Sequence, residues 1–135
     1  MTRSPRSSIH LVMIALWLAA LASCSPGAPD SSISQSELAG RIGARGAPLM
    51  IDVRTRGEFN SGHIPGAVHI PHAELPGRLR ELGTESEREI VVYCEQGNRS
   101  VLAAAALRRA GFRAVLHLEG DMSAWRANGL PCEGC

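Results

Sequence analysis

The sequence predicts an α/β fold in which helices cover both faces of a central, mostly parallel sheet. Short apolar runs alternate along the chain with longer segments of helix-forming residues, the order expected of strand–helix–strand units. The apolar runs are nearly continuous, which indicates strands that are buried on both faces. We find no internal repeat in the 135 residues, so we expect a single domain.

Four apolar runs are predicted to be strands. The run 90–93 consists of β-branched and aromatic residues and is too short for a helix. The other runs are bounded by turn residues such as Gly and Pro. The predicted strands cover residues 48–53, 67–70, 90–93 and 115–118.

Two capping-box patterns, in which a Ser or Thr precedes a Glu by three residues, mark helix starts at Ser34 and Thr55. Gly111 is expected to end a long alanine-rich helix, and Asp121 is expected to cap the last short one. The first helix follows Ser34, with Leu38 and Ile42 on its apolar face. The other predicted helices cover residues 55–60, 75–82, 100–110 and 121–127.

Residues 1–23 have the pattern of a signal peptide. Arg3 and Arg6 precede an uncharged run, residues 11–22, that is shorter than the roughly 20 apolar residues needed to span a bilayer. The Leu-Ala-Ser-Cys sequence that ends at Cys24 resembles the lipobox of bacterial lipoproteins, in which the cysteine is lipidated and becomes the first mature residue. The alternative is an ordinary signal peptide cleaved at a nearby small residue.

Residues 24–34 are rich in Pro, Gly and Ser and are predicted to be a flexible tether. Ser25 directly after the lipobox cysteine resembles lipoproteins that are sent to an outer membrane. We therefore expect a periplasmic protein held on a membrane, and more specifically on the outer membrane, by a lipid anchor. Removal of residues 1–23 takes away two of the fourteen cations, which leaves a charge of about −1 and argues against a nucleic-acid partner.

Cys94 is the candidate nucleophile. It ends a predicted strand and precedes a polar turn and a helix, so the N–H groups of residues 95–100 and the positive end of the helix dipole would face its sulfur. Such surroundings favour the thiolate, and Arg99 adds a positive charge nearby. Gly97 would let the turn adopt a positive φ. The alternative is that Cys94 is a small buried apolar residue at a strand end.

The pattern Cys-x-x-Gly-x-Arg-Ser at residues 94–100 resembles the active-site loop of the rhodanese sulfurtransferases. Three further blocks are similar to blocks of that family, and the resemblance covers about residues 35–131. It implies a three-layer fold around a mostly parallel sheet of about five strands. The three blocks are Met50-Ile51-Asp52-Val53-Arg54 with Glu58-Phe59, then Gly62-His63-Ile64-Pro65-Gly66-Ala67 leading to His69-Ile70-Pro71, and Leu118-Glu119-Gly120-Asp121-Met122-Ser123-Ala124-Trp125.

The resemblance implies a thiosulfate sulfurtransferase in which Cys94 attacks the outer sulfur of a donor, releases sulfite and holds the sulfur as a persulfide. Cyanide or a thiol then accepts the sulfur, with no metal or other cofactor. Phosphatases and arsenate reductases of related fold carry Cys-x5-Arg, whereas four residues separate Cys94 from Arg99 here, a tighter ring suited to one sulfur atom. The expected active-site loop comprises Glu95, Gln96, Gly97, Asn98, Arg99 and Ser100.

Three charged residues are expected to support this loop. Asp52 and Arg54 follow a predicted strand, and the carboxyl ends of parallel strands meet at one edge of a sheet, so both should lie near Cys94. Arg99 either steers an anionic donor or ties the loop to Asp52 or Glu58 by paired hydrogen bonds, and we favour the tie. Arg54 is then expected to be the anion contact on the solvent side; the alternative is a surface salt bridge to Glu58.

Glu95 is an acid beside the predicted nucleophile. A negative charge there opposes both a thiolate and an anionic donor. A persulfide or polysulfide carrier is therefore an alternative to thiosulfate as the donor.

The histidines and Trp125 are expected to have structural roles. His63 should be hydrogen-bonded within its turn, and His117 should be a satisfied core residue in an apolar strand. His69 and His72 would lie on opposite faces of an extended strand, which does not suit a metal pair. Trp125 should pack in the core with its indole N–H bonded to a neighbour.

The chain ends in Cys132-Glu133-Gly134-Cys135. In an oxidising periplasm we expect a local disulfide, which contributes little stability because the loop is short. A second interpretation is that one tail thiol attacks the Cys94 persulfide and carries sulfur or electrons away. The alternative to an enzyme is a non-catalytic sulfur carrier or thiol-redox partner that works through this tail. Two cysteines without a second pair fall short of a metal site.

Overall fold

The computed structural model describes residues 31–135, in which five strands form one sheet. The strands are β1 (Ser32–Ile33), β2 (Leu49–Asp52), β3 (Val68–His69), β4 (Ile90–Tyr93) and β5 (Val115–Leu118). Their order across the sheet is β1-β5-β4-β2-β3, and every neighbouring pair is parallel. This confirms the predicted fold class. The predicted signal peptide and Cys24 lie outside the described residues.

Residues 31–135 also form five α-helices and one 3₁₀ turn, of which all but the last helix lie between strands. Ser34 caps the first helix by accepting from the N–H of Glu37 at 3.2 Å, and Thr55 and Glu58 form the complete capping box predicted for the second. The predicted helix 75–82 is divided into a short α-helix and a 3₁₀ turn. The helices are α1 (Gln35–Arg41), α2 (Arg56–Asn60), α3 (Leu75–Arg78), α4 (Asn98–Arg109) and α5 (Asp121–Ala127), and the 3₁₀ turn is Leu79–Leu82.

Successive side chains of β4 enter two different apolar clusters, one on each face of the sheet. Val92 packs in a cluster with Leu107 of α4, whereas Tyr93 packs in a cluster with Leu38 of α1 and Trp125 of α5. The fold therefore has three layers, with the sheet in the middle. Trp125 is fully buried and its indole N–H donates to the carbonyl of Pro131 at 2.7 Å, as predicted.

The register of β2 and β4 brings their carboxyl ends together. Asp52, the last residue of β2, pairs with Tyr93, the last residue of β4. The chain then leaves both strands at the same edge of the sheet, so Arg54 and Cys94 start from neighbouring positions there. No helix within residues 31–135 is long and apolar enough to cross a membrane.

Three predictions about element boundaries are corrected by the structure. Two residues of the predicted tether form β1, an edge strand too short to produce a sequence pattern. Helix α4 begins at Asn98, two residues early, because Gly97 turns the chain with a φ of 102°. Asp121 does not cap α5, since Gly120 occupies the cap position and the Asp121 carboxylate accepts from the backbone of Cys94.

Candidate active site

Cys94 lies directly after β4, at the base of a cleft of about 270 Å³. Its thiol is free, and the residue is only 1% exposed. Its sulfur accepts from the N–H of Gly97 at 3.1 Å and from the hydroxyl of Ser100 at 3.5 Å. The sulfur therefore has two hydrogen-bond donors, fewer than the predicted set of N–H groups from residues 95–100. The cleft is lined by Glu58, Cys94, Glu95, Gln96, Asn98 and Arg99.

Gly97 gives the loop the curvature that the sequence predicted. Its φ is 102°, a conformation that side-chain-bearing residues rarely adopt. A Cβ placed on it would lie 3.3 Å from Oδ2 of Asp121. Glycine is therefore required both by the backbone conformation and by the close carboxylate.

Asp121 holds the loop from behind, a role that the sequence analysis missed. Its Oδ1 accepts from the N–H of Cys94 at 2.7 Å and from the hydroxyl of Ser100 at 2.8 Å. Its Oδ2 lies 2.9 Å from Nε2 of His117. Burial acts to raise the pKa of this carboxyl, but the hydrogen bonds from His117, Cys94 and Ser100 outweigh burial and lower it. Asp121 is thus a buried anion whose carboxylate bonds go to the loop and to His117.

His117 is consequently more than the satisfied core histidine that was predicted. It is the side-chain partner of Asp121, and it is partly exposed. The signal that could have revealed the pair is the spacing of an acid four residues after a histidine, directly following the glycine at the end of a buried strand.

Arg99 makes the favoured tie, and of the two candidate partners, Asp52 and Glu58, it binds Glu58. Its two terminal nitrogens each donate to one carboxylate oxygen of Glu58 at 2.7 Å. The hydrogen bond from Arg99, together with those from Thr55, lowers the pKa of Glu58 to about 2. The hydrogen bonds that Arg99 donates to Glu58 also raise the pKa of Arg99. This pair, called here the loop clamp, connects the start of α4 to α2.

Arg54 is not the solvent-side anion contact that was predicted, and it does not bind Glu58. It is 1% exposed and donates to both oxygens of Asp52, at 2.7 to 3.1 Å. It also donates to the carbonyl of Gly62 at 2.7 Å and to Glu95 at 3.1 Å. Burial acts to lower the pKa of Arg54, but the Asp52 carboxylate outweighs burial and raises it. Four acceptors draw the guanidinium inward, so it supports the loop instead of contacting solvent.

Glu95 is not the uncompensated charge that the sequence suggested. Its carboxylate binds the buried Arg54 through one oxygen and Arg126 of α5 through the other. Two guanidinium groups therefore balance its charge beside Cys94. No sequence pattern indicates this role of Arg126, because it lies at an ordinary helical position 31 residues from Glu95.

The remaining predicted residues make contacts outside the loop itself. His63 has its Nδ1 3.0 Å from the carbonyl of Phe59 and its Nε2 3.2 Å from Glu133, which confirms its hydrogen-bonding role. His69 contacts the carbonyl of Arg54 at 2.9 Å. Cys132 and Cys135 form the predicted local disulfide.

Comparison with known proteins agrees with this geometry. A 36% identical "Sulfurtransferase" from Allochromatium vinosum aligns over 75% of this chain and 92% of its own length. The HTH-type transcriptional regulator Rv0324 from Mycobacterium tuberculosis is 43% identical over 79% of this chain, which spans about half (46%) of the regulator.

Solved structures give the same result. The Alr3790 protein from Anabaena sp. superimposes with a TM-score of 0.68 at 36% identity, covering 76% of this chain and 91% of that one. The human single-domain sulfurtransferase TSTD1 has a TM-score of 0.61 at 30% identity, covering 75% of this chain and 97% of that one. The model of the family described as "Rhodanese-like domain" matches residues 34–128. The chain, with its single cysteine-centred loop at the carboxyl edge of a five-stranded parallel sheet, therefore belongs to the rhodanese-like domain family.

Proposed function

We propose that this protein is a thiosulfate-type sulfurtransferase that carries sulfane sulfur on Cys94 as a persulfide. The observation that carries the proposal is a free thiol at the base of an open cleft, with the Gly97 N–H donating to its sulfur. A related sulfurtransferase and the structure of a human single-domain sulfurtransferase support the same chemistry. Cyanide or a thiol is the proposed acceptor.

In the first half-reaction the Cys94 thiolate attacks the outer sulfur of thiosulfate. A bond forms between Sγ and that sulfur, the bond to the sulfite group breaks, and sulfite leaves with the electron pair. The Gly97 N–H stabilises the negative sulfur before the attack because it already points at it and need not reorganise. In the second half-reaction an acceptor anion attacks the outer sulfur and returns Cys94 to the thiolate.

The hydroxyl of Ser100 adds an adjustable donor. It has a single hydrogen but lies within hydrogen-bonding distance of Asp121 (2.8 Å), the carbonyl of Gly97 (3.0 Å) and the sulfur of Cys94 (3.5 Å). In the resting protein the shortest of these bonds is the one to the carboxylate. When the sulfur gains charge, rotation about one bond can turn the hydrogen towards it, while Asp121 keeps its bonds to the Cys94 N–H and His117.

A phosphatase is the competing assignment. A structure from Rhodopseudomonas palustris described as a possible tyrosine phosphatase is 27% identical with a TM-score of 0.65. The loop length argues against that activity here, since the four residues between Cys94 and Arg99 form a small ring. The Arg99 guanidinium also has both terminal nitrogens engaged by Glu58.

The decisive experiment assays the full chain with thiosulfate and cyanide, and in parallel with p-nitrophenyl phosphate. We expect thiocyanate formation that falls by at least about 1,000-fold in Cys94→Ser, because the covalent route is lost. Cys24→Ser is the matched control, since Cys24 precedes the rhodanese-like domain at residues 34–128, and it should retain activity. Phosphate release without thiocyanate formation would refute the proposal.

Asp121→Asn tests the anchor behind the loop. Asn has nearly the same size and tolerates the positive φ of 51° at this position, but it offers one acceptor oxygen in place of two. We expect kcat to fall by about tenfold, the effect of about one charge-assisted hydrogen bond, while the KM for thiosulfate stays within about twofold. Steady-state kinetics of thiocyanate formation measure this. Ser123→Ala, an exposed residue of the same helix, is the control, and an equal loss in that variant would contradict the role of Asp121.

The loop clamp predicts a defined pH dependence of stability. The pKa of Glu58 is about 2 in the folded protein against an ordinary value of 4.5, so the unfolded chain binds the extra proton first as the pH falls. The stabilisation is complete above about pH 4.5 and is lost as the pH falls towards 2. Relative to the parent protein, Glu58→Gln should therefore lose about 1 kcal/mol at neutral pH, and the difference should shrink below pH 4.5.

Urea unfolding of the parent protein and Glu58→Gln at a series of pH values measures that difference. Glu87→Gln is the matched control, because Glu87 makes only an exposed ion pair with Arg113. Its free energy of unfolding should stay within about 0.5 kcal/mol of the parent at each pH. A Glu58 difference that stays constant down to the lowest pH would show that the clamp does not work through the carboxylate charge.

We also propose that the mature protein is anchored to a bacterial membrane through lipid on Cys24, in the periplasm. The proposal is supported by the sequence of residues 1–34, where the lipobox-like cysteine is followed by a Pro-, Gly- and Ser-rich segment. Intact-mass measurement of the protein extracted from its own membrane should give an acylated chain beginning at Cys24. Cys24→Ser should instead yield an unacylated protein, and an unacylated wild-type mass would contradict the anchor.

A further inference from the structure

The chain terminus is docked on the body of the protein close to the active site. His63 and Glu133 exchange two backbone hydrogen bonds, each 2.9 Å long, and their side chains lie 3.2 Å apart. The disulfide between Cys132 and Cys135 lies against Gly62, where a Cβ would come within 3.0 Å of Cys132 Sγ. The glycine, which has a φ of 121°, leaves room for this contact.

A single guanidinium connects this turn with the active-site loop. The carbonyl of Gly62 accepts from one terminal nitrogen of Arg54 at 2.7 Å, and the other terminal nitrogen donates to Glu95 at 3.1 Å. Glu95 is the residue after Cys94. The tail cysteines are therefore seated on a segment that is fixed directly to the loop of the nucleophile.

Two adjoining clefts provide an open route between the tail disulfide and Cys94. The cleft above Cys94 and a second one of about 450 Å³ share Glu58 and Glu95 as wall residues. The second cleft extends to Ser61, which precedes the glycine that the disulfide contacts. A small side chain moving from the tail to the sulfur therefore need not cross the core.

The two tail cysteines differ in burial and therefore in how freely they can move. Cys132 is half-buried against the apolar cluster that contains Trp125, and the preceding carbonyl, that of Pro131, is held by the indole of Trp125. Cys135 is exposed, and it rests against Gly62. With the bridge to Glu133 intact, two residues can span about 7 Å, and with the bridge released, the four residues after Pro131 span about 14 Å. Cys135 is thus the sulfur that can travel, and Cys132 is the one that stays.

We propose that the reduced tail is an internal acceptor for the Cys94 persulfide, with Cys135 as the attacking thiol and Cys132 as the resolving thiol. This inference rests on the proposed sulfurtransferase function and identifies its thiol acceptor. It gives the protein a second activity, the release of sulfide from sulfane sulfur at the expense of a dithiol.

The steps balance without a further reagent in a single turnover. The Cys135 thiolate attacks the outer, protonated sulfur of the persulfide, a bond forms between Cys135 Sγ and that sulfur, and the Cys94 thiolate leaves with the electron pair. The Cys132 thiolate then attacks Cys135 Sγ, forms the disulfide and expels hydrosulfide. The two thiols lose two electrons and the sulfane sulfur gains them. An external dithiol returns the disulfide to the reduced state by exchange.

The test is a single turnover of the full chain carrying Cys24→Ser in all samples. The protein is reduced, freed of reductant, mixed with thiosulfate, and analysed for sulfide and for the position of added sulfur by peptide mass spectrometry. We expect about one sulfide per chain together with a Cys132–Cys135 disulfide. Cys135→Ser should hold the sulfur on Cys94 and release at least about tenfold less sulfide, whereas Cys132→Ser should hold it on Cys135.

Uptake of sulfur from thiosulfate, found on Cys94 in Cys135→Ser and on Cys94 or Cys135 in Cys132→Ser, shows that the site is intact in each variant. Thiocyanate formation by the parent protein tests the proposed function separately. If the parent forms thiocyanate but both tail variants release as much sulfide as it does, or if sulfur never leaves Cys94 in the reduced parent, the internal acceptor is refuted. If the parent forms no thiocyanate and Cys94 takes up no sulfur, the proposed function itself fails.

Discussion

The hydrogen bond from the N–H of Cys94 to the carboxylate of Asp121 is the contact on which the site depends. It connects the end of the central strand to the first residue of α5. Two further bonds follow from it, because the N–H groups of Met122 and Ser123 donate to the carbonyls of Cys94 and Glu95 at 3.0 and 3.1 Å. The beginning of α5 thus holds the backbone of the nucleophile from both sides. Among the described residues other than glycine, only Asp121 has a positive φ, and the packing around it stabilises that strained conformation.

Charge around the loop is balanced pair by pair. Asp52 and Glu95 share Arg54, Glu58 faces Arg99, and Glu95 also binds Arg126. Of these pairs, only Arg54–Asp52 is buried on both sides, and there desolvation offsets much of the attraction. The other pairs are partly exposed and individually contribute little stability, but all are directional because several hydrogen bonds fix each group. Their effect here is to fix the loop at both ends. The charge that develops on sulfur is therefore met mainly by the local donors of Gly97 and Ser100.

The sequence predicts the fold class and most elements because parallel strands and capping boxes have local signatures. It also predicts the positions of Cys94 and Gly97 in the loop, and a tie from Arg99 to an acid, with Asp52 and Glu58 as the two candidates. It cannot predict that Arg54 turns inward, because this depends on the carbonyl of Gly62, which is brought near by folding and which every residue type possesses. Asp121 was misassigned for a related reason. An Asp at the start of a helix has the sequence pattern of a helix cap. Only the position of Cys94 in the folded protein shows that the Asp121 carboxylate accepts from Cys94 instead.

Burial of Cys94 suits the transfer of sulfur better than it suits direct exchange with bulky thiols. At 1% exposure the thiol offers little surface to a large reagent, whereas a small donor can enter the cleft that this cysteine lines. In the proposed persulfide, the transferable atom would lie one sulfur–sulfur bond, about 2.05 Å, beyond Sγ and hence further into the cleft. The acceptor then needs to reach only the cleft and not the loop beneath it. The Gly97 amide would stay at Sγ in that proposed persulfide, so attack on the outer sulfur would expel Sγ as a thiolate that this amide stabilises.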